Sequence, residues 1–163
     1  MAKLLKSVVV HFGIVCLVLL ATACGGGSPT APSNTVDFQG VWQGTWQRTS
    51  CAETGGAQGV ACNQTPTSGA LRLTLTQTGT AVQGTVEVAS FFIPATGSVN
   101  NSGALSLTGQ AHLQSATETL SNWSTTRSGS AMNGGFTLTI VADNPAFGSQ
   151  ILQLTLQNVT KTS

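Results

Sequence analysis

A two-residue alternation of apolar and polar side chains recurs from Val36 onward, and it limits the fold more than any other feature. Leu71, Leu73 and Leu75 share one parity, with Arg72, Thr74 and Thr76 on the other. Val82, Gly84, Val86 and Val88 repeat the pattern, followed by Leu105, Leu107, Gly109, Ala111 and Leu113. Met132, Gly134, Phe136, Leu138 and Ile140 continue it, and Leu152, Leu154 and Leu156 close the series. Successive side chains of a strand point to opposite faces, so this is the pattern of half-buried strands. No window sustains a 3.6-residue period. Turn formers stand at the breaks, at Thr78-Gly79, Asn100-Asn101-Ser102-Gly103 and Ser128-Gly129. An opening strand over 38–49 places Phe38, Gly40, Trp42, Gly44 and Trp46 on one face.

The pattern predicts an all-β chain of eight strands, each with one apolar face, joined mostly by short hairpins. An eight-stranded antiparallel up-and-down β-barrel buries that face and leaves no free edge. A β-sandwich is the alternative. A transmembrane barrel needs its apolar side chains outward, whereas the second face here is Thr, Gln, Ser and Arg. Three details qualify the series. Pro94 predicts a short fourth strand over 95–99. Leu120 and Trp123 have opposite parity within a sixth strand over 117–126, which requires a bulge or one of them outward. Residues 50–69 read as a turn-rich loop.

The first residues carry a different signal. Lys3 and Lys6 precede an apolar run over 8–20 that is too short for a comfortable membrane span. Small residues follow, which completes the pattern of a secretory signal. Ala21-Thr22-Ala23-Cys24 resembles a bacterial lipobox, with Ala21 where leucine is usual and Leu20 one step earlier. The resemblance implies a lipidated Cys24, held to a membrane by its acyl chains. Gly25 in the next position resembles lipoproteins sent to the outer membrane, facing the periplasm. Ala21-Thr22-Ala23 also meets the ordinary cleavage rule, which would release a secreted soluble product. The expected organisation is a signal peptide over 1–23, a lipidated cysteine with a Gly/Ser/Pro tether over 24–35, and a barrel domain over 36–163.

An oxidising compartment makes Cys51 and Cys62 a disulfide. A metal site would need further ligands, and after Cys24 the one histidine is His112. Beyond Cys24 the charged side chains are Arg48, Arg72, Arg127 and Lys161 against Asp37, Glu53, Glu87, Glu118 and Asp143, a formal −1. So little charge gives no footprint for nucleic acid and no polybasic lipid-binding patch.

Phe38-Gln39-Gly40-Val41-Trp42 is similar to the opening strand of lipocalins and avidins. The hairpin Leu73–Gly79 and Val82–Thr85 resembles the next avidin strand pair. This calycin likeness implies a barrel with Trp42 at its closed end and a small apolar ligand, or none, within. Gly44 stands where avidins carry a ligand-binding asparagine, which speaks against biotin. The lining of such a cavity is expected from Trp42, Trp46, Leu73, Val86, Leu107, Trp123, Phe136, Leu138 and Leu154. Gly44, Gly84 and Gly134 at inward parity are expected to leave room. No convergent acid, base or nucleophile is evident: His112, Glu87 and Glu118 are assigned to polar faces. Phosphate loops, metal-ligand spacings and dinucleotide fingerprints are absent as well, so no enzyme activity, metal or cofactor is expected. Two functions remain: an envelope lipoprotein that binds a small apolar ligand, or a structural or protein-interaction lipoprotein with a filled barrel.

Overall fold

The computed structural model describes residues 35–163. The expected signal peptide, Cys24 and nearly all of the expected tether lie outside them. Eight strands follow in order: β1 (Gly40–Thr54), β2 (Ser68–Thr78), β3 (Ala81–Val88), β4 (Phe91–Val99), β5 (Ala104–Leu113), β6 (Ala116–Ser128), β7 (Ala131–Ala142) and β8 (Ser149–Lys161). Each pairs antiparallel with the next, and β1 pairs with β8, so the sheet closes into an up-and-down barrel. The sandwich alternative is thereby ruled out. Closure satisfies every strand edge with a neighbour.

The alternation dictates the packing. Apolar residues of all eight strands meet in one continuous interior cluster, while the outer face is mainly Thr, Gln and Ser. Consecutive antiparallel strands put the chain entry, the Lys161 end and the hairpins after β2, β4 and β6 at one end. The β1–β2 connection, the two tight turns after β3 and β5, and the β7–β8 connection lie at the other, here called the mouth.

Two strand assignments need correction, and the choice left open in the sixth strand falls to a bulge. β1 continues to Thr54 rather than ending at 49, with Cys51 paired to Leu152 and Glu53 to Gln150. A register shift between Arg48 and Ser50 resets the alternation there, so the strand's last third reads as loop in sequence. β4 begins at Phe91, and Pro94 lies inside it opposite Thr85. The β4–β5 ladder starts only at Ala95, so the missing N–H of Pro94 deprives no partner on that side. In β6 a shift between Ser121 and Ser124, with Asn122 at φ 51°, turns both Leu120 and Trp123 inward.

The β1–β2 connection forms a roof over the mouth. It holds a short 3-10 turn (Gly55–Ala57) and one helical turn, α1 (Ala61–Gln64). The Cys51–Cys62 disulfide ties α1 to β1, with Cα atoms 5.9 Å apart. Arg48 Nη1 donates to the Cys62 carbonyl at 2.7 Å, and the Glu53 carboxylate accepts from the Gly59 and Cys62 amides. Replacing both cysteines by alanine is expected to cost about 2–3 kcal/mol, near the chain-entropy value for so short a loop. Amide exchange over 55–67 should accelerate while β3–β6 stays protected. Equal acceleration throughout would show that the bridge supports the whole barrel instead.

Candidate functional site

The closed end is built from the first residues of the domain. Phe38 and Trp42 are both fully buried, with ring centroids 6.2 Å apart. Trp42 Nε1 donates to the Phe38 carbonyl at 2.8 Å, which satisfies the buried indole. The Arg127 guanidinium sits 5.6 Å from the Trp42 ring centroid and donates to the Asp37 carbonyl. Gln77 brackets the entering chain, accepting from the Phe38 amide at 2.7 Å and donating to the Val36 carbonyl at 3.1 Å. The Gln39 amide, then Lys161 and Arg127, hold the Asp37 carboxyl below the usual carboxylate range.

The middle of the barrel is filled. All nine residues expected to line a cavity are buried, none more than 3% exposed, and all belong to the single interior cluster. Trp123 stacks on Phe136 at 4.7 Å and donates to Thr125 Oγ1 at 3.0 Å. None of the nine borders the outer groove on β3–β6, the mouth pocket or the two smaller clefts beside β2. The glycines do not open space either. A Cβ on Gly84 would overlap the Thr74 carbonyl, and one on Gly134 the Ser124 carbonyl. At Gly44 it would lie 2.7 Å from Val159 Cα. These positions let neighbouring backbones approach so that the sheet can curl tightly. A concavity of about 830 Å³ is an open groove on the outer face of β3–β6, lined mainly by Thr and Gln.

The mouth holds the group that sequence reasoning misplaced. Glu118, assigned to a polar face, is 1% exposed and points inward with Leu120. Counting back from Trp123 puts it outside; the bulge at Asn122 reverses that count. Its shared parity with Leu120 was the signal available. It lies in a cross-strand row, Ala111–Glu118–Ile140–Gln150–Glu53, that forms the top layer of the interior. Burial pushes its carboxyl up, against backbone hydrogen bonding at Glu118 and Leu113 and the nearby His112. Glu118 Oε2 has no hydrogen-bond partner among the described residues, and Trp46 Nε1 shares that condition. Gln150, 7% exposed, donates to Thr65 Oγ1 at 2.7 Å and so links barrel wall to roof.

His112 is exposed, as its parity implied. It contacts Thr117 Oγ1 at 3.2 Å and Asp143 at 3.5 Å. Among the described residues no cluster of His, Cys, Asp or Glu is suited to a metal ion, and none of their helices is long and apolar enough to cross a membrane. No protein-family profile, curated protein or solved structure matches the chain.

Proposed function

We propose that this protein is a cell-envelope lipoprotein whose barrel is a solid scaffold for protein contacts rather than a carrier with a ligand inside. The observation that carries the scaffold reading is the filled interior: Trp42, Trp46, Trp123 and Phe136 occupy the space a ligand would need. An eight-stranded barrel is just wide enough for side chains to fill it. The lipoprotein reading rests on the Ala21–Cys24 sequence and the Gly/Ser/Pro stretch after it. In this reading residues 1–23 are removed, Cys24 carries the lipid, and residues 24–35 tether the domain to the outer membrane on its periplasmic side. The described chain enters the barrel at the closed end, opposite the mouth.

Two measurements test the two parts separately. The intact N-terminal mass of protein from its native host should show an acylated Cys24, and Cys24→Ser should shift the protein from the membrane to the soluble fraction. An unmodified thiol at Cys24 rejects the anchor and favours a secreted product. Cross-linking in intact cells should return a reproducible protein partner for the barrel. Co-purification of a stoichiometric apolar molecule that quenches Trp46 or Trp123 would reject the scaffold in favour of a small apolar ligand.

A further inference from the structure

Between the roof and the barrel wall lies a pocket of about 300 Å³. Val60 and Ala61 border it from the roof, Ile140 and Ala142 from β7, and Phe147 from the β7–β8 connection. Val60 is 51% exposed and Phe147 64%, so two large apolar groups stand at its rim without cover. The walls are held in place: the disulfide, the Glu53 contacts and the Gln150–Thr65 hydrogen bond all fix the roof. A pocket of this size with apolar walls and a few convergent polar groups is the usual form of a small-molecule site.

Glu118 supplies the second observation. It sits one inward position below Ala116 and pairs across the sheet with Ile140, and both of those residues border the pocket. One oxygen, Oε2, is left buried with no donor. Nearly all buried polar atoms in folded proteins are paired, and an unpaired one calls for an explanation. Glu118 does not itself border the pocket, so the contact proposed below requires its side chain to turn about its three torsions toward the mouth.

We propose that the mouth pocket binds a small primary ammonium compound with an apolar body. The ammonium donates to Glu118 Oε2, and the body lies against Ile140, Ala142 and Phe147. The chemistry follows from the acceptor. An ionised carboxylate accepts and does not donate, so it selects a donor. A cationic donor makes a hydrogen bond roughly twice as strong as a neutral one. An anionic ligand would meet repulsion at the same oxygen. This site needs no space inside the barrel, so it goes beyond the scaffold reading and stands or falls apart from it.

The test uses three probes of one shape: 2-phenylethylammonium, 2-phenylethanol and 3-phenylpropionate. Each is titrated into the mature chain with its disulfide intact, observed by NMR at the Ile140 and Ala142 methyl groups. The ammonium should saturate those signals, with the alcohol about tenfold weaker and the carboxylate inactive, the size of one charge-assisted hydrogen bond. Glu118→Gln keeps the side-chain shape, removes a buried charge and should weaken the ammonium about tenfold while leaving the alcohol unchanged. Ala142→Leu, at the rim, should weaken both. Equal affinity for all three probes, an unchanged ammonium affinity in E118Q, or no saturable shift with any probe would each overturn the proposal.

Discussion

Trp42→Ala is expected to lower the unfolding free energy by about 4 kcal/mol, in the range for truncating a fully buried aromatic. Trp42 has no exposed surface, and three other groups depend on it. Phe38 packs against its ring, and the Phe38 carbonyl accepts from its indole. Arg127 lies over its face while donating to the Asp37 carbonyl. Removing the ring leaves a cavity at the closed end and frees the carbonyl that its indole had satisfied. Residues 36–39, which form no strand, lose their anchor. Arg127→Gln should cost less, about 1–2 kcal/mol, since it removes one cation–π contact and two exposed hydrogen bonds, to the Asp37 and Gly129 carbonyls. Urea unfolding followed by the fluorescence of Trp46 and Trp123 measures both. A loss below about 1.5 kcal/mol for Trp42→Ala would mean that the closed end collapses around the cavity, and that β1 is held by its ladders with β2 and β8 alone.

The barrel is legible in the sequence because its driving pattern is local. Leu71–Leu75, Val82–Val88 and Leu105–Leu107 alternate without interruption, and those strands lie where the alternation puts them. Departures occur where one residue is inserted. Asn122 and Asn158 both take positive φ, at 51° and 52°, beside register shifts. Asparagine tolerates that conformation better than most residues, yet nothing in a single sequence distinguishes a bulge asparagine from an exposed one. The shift between Arg48 and Ser50 and the bulge at Asn122 each reverse the parity of the residues beyond them, so the last third of β1 reads as loop and Glu118 as outward. The glycines show a different limit. Inward parity at Gly84 and Gly134 reads as empty space, but a barrel's curvature brings the next strand's backbone there. Curvature is a property of the closed sheet, and no strand reveals it alone. The mouth pocket is invisible in sequence for a similar reason: its walls come from the roof, β6, β7 and the β7–β8 connection, which become neighbours only on closure.

Glu118→Gln is expected to raise the unfolding free energy at pH 8, because it replaces a buried ionised group left partly unpaired. The pH dependence gives the sharper signature. Burial holds the Glu118 carboxyl above its ordinary value, outweighing the backbone hydrogen bonds and His112, with Asp143 adding to the rise. In the unfolded chain the group ionises near about pH 4.3. Between that pH and the higher folded value, the folded protein binds more protons than the unfolded one, so stability falls as pH rises. Below the window both states are protonated and the contribution is fully present; above it the loss is complete. This is opposite in sign to a salt-bridged carboxylate such as Asp37, whose lowered value favours the folded state as pH rises. The remaining titratable groups are common to wild type and variant, so the difference between their stability curves isolates Glu118. That difference should be near zero at pH 4, grow through the window and level off above it. Parallel curves from pH 4 to 8 would show that Glu118 is paired in solution, and the ammonium site would lose its acceptor. A growing difference would mean that the chain keeps, at a cost in stability, a carboxylate that glutamine could replace in shape, as the proposed ammonium site requires.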